Sequence, residues 1–174
     1  PISSVPNVVS LISPFTVGTA TILMHCVFIL LQILILRRKY HLIQLMQLPV
    51  AFLFGYLTDF AVWAVRGIQC HTYWQQWIVC LAGIFLVAVG VSLEVKAGVV
   101  VLAGEGVVLA ICQVLPVKFG YMKVGFDVTL VLTACILSLV FTQSLQGVRE
   151  GTVAAALLVG LIAKRLGKIW ERFP

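Results

Sequence analysis

The sequence predicts an all-α, polytopic membrane protein. About five transmembrane helices plus two short re-entrant or half helices are expected, arranged as an inverted repeat with the first helix of repeat one absent from this chain. Three observations lead there. Hydrophobic residues make up 61% of the 174 and charged residues 10%, against roughly 25% charged in soluble domains, too few to cover a water-facing surface. The runs 17–36 and 77–93 contain no Asp, Glu, Lys or Arg and approach the ~20 residues a helix needs to cross hydrocarbon. Finally, one order of features occurs twice along the chain. A membrane β-barrel would alternate in polarity over segments of about 10 residues, whereas these runs are apolar on every face.

The elements follow in order. Segment 2–13 is apolar but too short to cross, and Pro14 stops it. Spans at 17–36 and 47–65 come next, joined through Arg37, Arg38 and Lys39. The loop 66–77 holds Tyr73, Trp74 and Trp77 as an interfacial aromatic belt and leads into a span at 77–95. A second short segment, 102–115, ends at Pro116, and spans at 124–141 and 152–163 complete the set. Segments of the shorter length are re-entrant or interfacial rather than spanning.

Basic residues set the orientation. Arg37, Arg38, Lys39, Lys96, Lys118, Lys123, Lys164, Arg165, Lys168 and Arg172 fall on one side, leaving Arg66 and Arg149 for the other. The positive-inside rule makes the first group, with the C-terminus, cytoplasmic. Trp170 serves as an aromatic anchor on that side. The expected location is the bacterial cytoplasmic (inner) membrane, the lipid bilayer is the partner, and a homodimer is possible. The formal net charge of +6 is then topological, and it implies no nucleic acid. Five cysteines, Cys26, Cys70, Cys80, Cys112 and Cys135, are odd in number and lack Cys-x-x-Cys spacing, so neither a disulfide framework nor a metal site is expected, and no cofactor is.

The repeat rests on "PFTVG" at Pro14 to Gly18 and "PVKFG" at Pro116 to Gly120, each between a short segment and a span. Val50 and Ala51, then Gly55, follow in the first copy; Val153 and Ala154, then Gly160, follow in the second. Residues 1–70 form repeat one and 71–174 repeat two, within one membrane domain. A span precedes the short segment in the second copy, so a helix before Pro1 is expected for the first. Three crossings per copy, an odd number, invert the second copy. Inverted repeats with interrupted helices typify secondary transporters, whose sites lie near the bilayer midplane.

The opening "PISSVP" and the segments "LRRKYHLIQLMQLPVAFLFGYLTDF", "GVSLEVKAGVVVLAGEG" and "GVREGTVAAALLVGLIAKRL" resemble the uncharacterised bacterial inner-membrane proteins grouped as YczE/YitT-like, over nearly the whole chain. The resemblance implies a multi-span bacterial membrane protein and brings no substrate. In that family the helix before the first short segment commonly ends in a Lys-Ala-x-Leu-Gly-like turn. Here Lys96 and Ala97 are kept and a different turn follows.

Charges inside the apolar chain mark the candidate site, because an acidic or basic side chain at the bilayer centre costs roughly 2.5 to 3.5 kcal/mol and needs a partner, a cavity or a role. Gly104, Glu105 and Gly106 begin the second short segment, where glycines allow close approach and a helix N-terminus offers a positive dipole end. Glu105 either caps its own helix or pairs with Lys96, or it takes a proton or cation during transport. Ser3, Ser4 and Asn7 are the polar content of the first short segment and, with Gln113, complete the substrate-binding set. Asp59, Glu94, Lys96, Asp127 and His25 are candidates for proton or ion coupling. Asp127 also has Lys123 one turn away, and Asp59 has Arg66 two turns along its face. Arg149 and Glu150 stand at the external mouth. The expected function is secondary transport of a small solute or ion at a midplane site between the short helices. The alternative is a non-transport membrane subunit: a substrate-binding component of a larger transporter, or a structural or signalling protein. An enzyme is not expected, since neither His-Glu-x-x-His nor Gly-x-Ser-x-Gly occurs.

Overall fold

The computed structural model describes residues 1–67, 70–98, 100–144 and 147–170. Arg172 and the side chains of Lys168 and Trp170 lie outside the described residues, and with them the inner aromatic anchor and the end of the basic tail. Among the described residues every regular element is helical: α1 (Ser4–Ile12), α2 (Val17–Leu36), α3 (Gln47–Ala64), α4 (Tyr73–Ala97), α5 (Ala103–Val114), α6 (Phe119–Thr142) and α7 (Glu150–Trp170). Two 3₁₀ turns, Arg37–Lys39 and Leu42–Met46, join α2 to α3.

Among the described residues four stretches are long and apolar enough to cross a membrane: Val17–Lys39, Leu42–Ala64, Tyr73–Ala97 and Phe119–Thr142. The chain is a helical membrane protein, with one fewer such stretch than the sequence suggested. The expected fifth span, 152–163, is only the apolar part of α7. That helix also carries Glu150, Lys164 and Arg165 on either side of this part, which keeps it out of the set marked by length and composition alone.

Local chemistry sets the helix ends. Thr16 caps α2 by accepting from the Thr19 N–H, which satisfies one of the free donors at a helix start. Thr72 and Gln75 form a reciprocal capping box at the head of α4. Helix α4 stops where Gly98 adopts φ of 62°, a left-handed conformation that glycine takes without steric cost.

Helices α2 and α6 form the centre. Helix α2 packs on α1, α3 and α5; α6 packs on α1, α5 and α7; α4 lies along α7. One apolar cluster joins Phe28 and Ile29 of α2 to Ala103 and Val107 of α5 and Leu130 of α6. A second joins Ile84 and Ala88 of α4 to Val159 of α7. The short helices are therefore inside the bundle, and α5 is buried from Ala103 to Val108.

Glycine pairs let the long helices approach so closely. A Cβ on Gly18 would collide with the Gly55 carbonyl oxygen and the Asp59 carboxylate, so α2 and α3 touch backbone to backbone. Likewise a Cβ on Gly120 would stand 2.6 Å from the Lys164 Cβ and 3.0 Å from the Gly160 carbonyl oxygen. Small residues at a crossing are how membrane helices gain packing where lipid removes the hydrophobic drive between them. Gly18→Ala is expected to destabilise the protein by about 1–3 kcal/mol through overpacking. Gly83→Ala, whose Cβ would meet nothing within 4 Å, should not. Thermal unfolding in detergent micelles compares the two, and equal melting temperatures would contradict the close α2–α3 crossing.

Candidate functional site: a buried charge cluster beside a cavity

Two turns of α6 and the head of α5 build the cluster. Lys123 and Asp127 are four residues apart on α6, so their side chains lie on one face, and Lys123 Nζ is 2.6 Å from Asp127 Oδ1. The same ammonium lies 3.3 Å from Glu105 Oε1 on α5. All three are withdrawn from solvent, at 2% exposure for Lys123, 3% for Glu105 and 0% for Asp127. Lys123, expected to flank its span among the cytoplasmic cations, is instead the central cation of the interior, because Phe119–Thr142 is helical one turn earlier than the apolar run suggests.

Glu105 reaches this position because α5 starts with small residues. A Cβ on Gly104 would strike the Ile2 side chain, and one on Gly106 would lie 2.6 Å from the Gln32 amide oxygen. These glycines serve close packing. Gln32 of α2, 1% exposed, donates to Gln47 Oε1 at 2.9 Å and to the Ala103 carbonyl at 3.0 Å. One side chain thus ties α2, α3 and the head of α5 together. On the α4 side, Glu94 accepts the Leu102 N–H and fixes the turn into α5. It stands within electrostatic reach of Glu105 and Lys123.

His25 of α2 is fully buried and within electrostatic reach of Glu105. Its ring stacks on Phe54 of α3, centroids 5.6 Å apart and planes 22° apart. Neither His25 nitrogen, nor Glu105 Oε2, nor Asp127 Oδ2 has a hydrogen-bond partner among the described residues. Buried polar atoms are normally paired, and exceptions call for an explanation.

On the other side of Phe54 lies a cavity of about 1180 Å³. Its floor is α1, with Ser3, Ser4 and Asn7; its walls come from α3, α4 and α7, and they are mainly apolar, as with Leu57, Trp77 and Val87. Arg149 and Glu150 line it where α7 begins. Asn7 also donates to the Gly147 carbonyl at 3.2 Å, which anchors α1 to the connection between α6 and α7.

The residues singled out in the sequence therefore separate into groups. Ser3, Ser4 and Asn7 share the cavity. Glu105 and Asp127 meet at Lys123 in the buried cluster, where Lys96 was one candidate partner for Glu105; His25 is buried against Phe54, and half-buried Glu94 holds the Leu102 N–H. Gln113 is exposed near the end of α5 and lies in neither place. Lys96 is exposed in the last turn of α4. Asp59 takes no part in the cluster: its carboxylate accepts from the Gly18 N–H and the Thr16 hydroxyl, both at 2.7 Å. It caps α2 from the neighbouring helix, which complements the positive end of the helix dipole. The sequence reading passed over Gln32, Gln47 and Phe54. A lone amide within the uncharged run 17–36 was the available signal for Gln32.

A family model matches residues 1–168. The chain belongs to a family of unknown function (DUF6198). That agrees with the YczE/YitT-like resemblance at the level of an uncharacterised family and no finer. No curated protein and no solved structure matches the chain.

Lys123→Met leaves two buried carboxylates without their cation and is expected to destabilise by about 3–5 kcal/mol. The triple change Lys123→Met, Glu105→Gln, Asp127→Asn removes the charges together and should recover most of that loss. Chemical denaturation of the purified variants measures both. A fully stable Lys123→Met protein would mean that the carboxylates are not ionised.

Proposed function

We propose that the protein is a proton-coupled secondary transporter of a small solute, a YczE/YitT-like protein of the bacterial inner membrane with its C-terminus in the cytoplasm. The observation that carries the proposal is the cluster itself: one ammonium shared by carboxylates in a lipid-embedded bundle, with Glu105 Oε2 and Asp127 Oδ2 unpartnered. A static salt bridge would be satisfied by one carboxylate. The second gives Lys123 two alternative counter-ions, so a proton can pass on and off one of them while the other keeps the lysine neutralised. Purely structural charges would be replaceable by apolar side chains at no loss. The exchanged cation is read as a proton, because Glu105, Asp127 and His25 are all side chains that take one up and give it back.

The cavity supplies the solute side of the mechanism. Ser3, Ser4 and Asn7 offer hydroxyl and amide groups on its floor, and its apolar walls suit a solute without net charge. Phe54 belongs to the cavity wall and stacks on His25, whose ring feels the charge of Glu105. This gives an order of influence from solute to proton site: Phe54, His25, Glu105, Lys123. A solute that shifts Phe54 alters the surroundings of His25 and, through it, which carboxylate holds the proton. The reading takes α1 and α5 as re-entrant helices of two inverted repeats. The Gly18–Gly55 and Gly120–Gly160 contacts, each between the helix after a short helix and the next one, support that view.

Purified protein in liposomes loaded with a pH-sensitive dye tests the proposal. Neutral, largely apolar metabolites of a mixed panel should drive proton movement, Glu105→Gln should reduce it at least about ten-fold, and Asn7→Ala should weaken the response to solute. An unchanged proton flux in Glu105→Gln, or no flux with any solute, would overturn it. Orientation has its own test: Cys70, on the connection between α3 and α4, should react with a membrane-impermeant thiol reagent applied to intact cells. Labelling only after lysis would reverse the topology.

A further inference from the structure

The heads of α2 and α6 are built alike, with one reversal of charge. At α2, Gly18 touches Gly55 of the next helix, and Asp59, four residues beyond Gly55, accepts the Gly18 N–H at 2.7 Å. At α6, Gly120 touches Gly160 of the next helix, and four residues beyond Gly160 stands Lys164, whose Cβ packs on Gly120. A lysine cannot accept a hydrogen bond, and its charge has the wrong sign for a helix N-terminus. Its ammonium instead sits 3.8 Å over the Tyr121 ring, an attraction between a cation and the negative face of an aromatic ring. Beside it is a second cavity, about 280 Å³, lined by Tyr121, Leu161, Lys164 and Arg165, and Lys118 precedes α6 at its N-cap.

No anion of the described residues serves this cluster. Asp59 caps α2, Glu94 holds the Leu102 N–H, and Glu105 and Asp127 are bound to Lys123. Glu150 begins α7, 14 residues before Lys164 and so roughly 21 Å away along the helix. Lys164 and Arg165 therefore meet at a small cavity beside the first turn of α6, which in the proposed topology is the cytoplasmic headgroup level. Basic pockets between membrane helices at that height bind anionic headgroups. Arg165 can hold two phosphate oxygens at once, Lys164 is held in place by Tyr121, and the apolar wall at Leu161 faces the lipid chains.

We propose that the cavity between Tyr121, Leu161, Lys164 and Arg165 binds the phosphate group of one anionic phospholipid. This site is separate from the buried cluster and does not depend on transport.

Native mass spectrometry of the full chain, released from micelles containing phosphatidylglycerol or phosphatidylcholine, tests it. One phosphatidylglycerol per chain should be retained in preference to phosphatidylcholine. Arg165→Gln, at an exposed position, and Lys164→Gln should each weaken retention about five-fold. The triple change Arg37→Gln, Arg38→Gln, Lys39→Gln should leave it intact. Inorganic phosphate at millimolar concentration should compete only weakly. Equal retention of both lipids, or equal loss in the triple variant and in Arg165→Gln, would reduce the effect to diffuse surface charge and overturn the proposal. Inorganic phosphate displacing the lipid completely would identify a free-anion site and overturn the lipid assignment.

Discussion

Lys123 between two carboxylates is the constraint around which the centre of this bundle is arranged. In hydrocarbon an isolated charge is too costly to keep, so the ammonium must stay within contact of Glu105 and Asp127. Asp127 comes from the same helix and fixes only a rotamer. Glu105 comes from α5, and the 3.3 Å contact dictates where that short helix lies relative to α6. Apolar packing of Ala103 and Val107 against Phe28, Ile29 and Leu130 fills the space around the contact. It has no directional preference of its own, because lipid chains are as apolar as leucine. The ion pairs and the Gln32 hydrogen bonds supply the direction.

The glycines make that arrangement reachable. Gly106 gives the Gln32 amide room to reach both Gln47 and the Ala103 carbonyl, and Gly104 lets Ile2 approach from the first short helix. Gly18 and Gly55 bring α2 and α3 together closely enough for Asp59 to reach across and cap α2. Several polar groups are thus paired between helices, as the absence of water in a bilayer requires of any polar atom without a partner in its own helix. The unpartnered atoms stand out for that reason. Besides Tyr40 and Gln44 in the connection between α2 and α3, they belong to His25, Glu105 and Asp127, and His25 is one aromatic ring away from a large cavity.

The cluster and the cavity are adjacent but chemically distinct. One holds nearly all the buried charge; the other is walled mainly by apolar side chains, with hydroxyl and amide groups on its floor. Phe54 is common to both. In the proposed transport reading this shared ring is what couples the two sites.

Much of this was legible in the chain. Composition and the uncharged runs determined a helical membrane protein, the prolines and lengths marked α1 and α5 as too short to cross, and Asp127 with Lys123 four residues before it was a local pair by helical geometry alone. Periodicity and charge are one-dimensional properties, and they sufficed for these. The stretch 152–163 is the apolar part of a longer helix, α7, whose Glu150, Lys164 and Arg165 an apolar run alone does not show. Which partner Glu105 would take, that Asp59 caps a neighbouring helix in place of facing Arg66, and that Lys123 is interior were decided only by tertiary structure. Each depends on which helix faces which, and in a chain apolar on all sides no stripe of hydrophobic residues records that choice. It is made by backbone contact at glycines and by the few polar groups that must find one another.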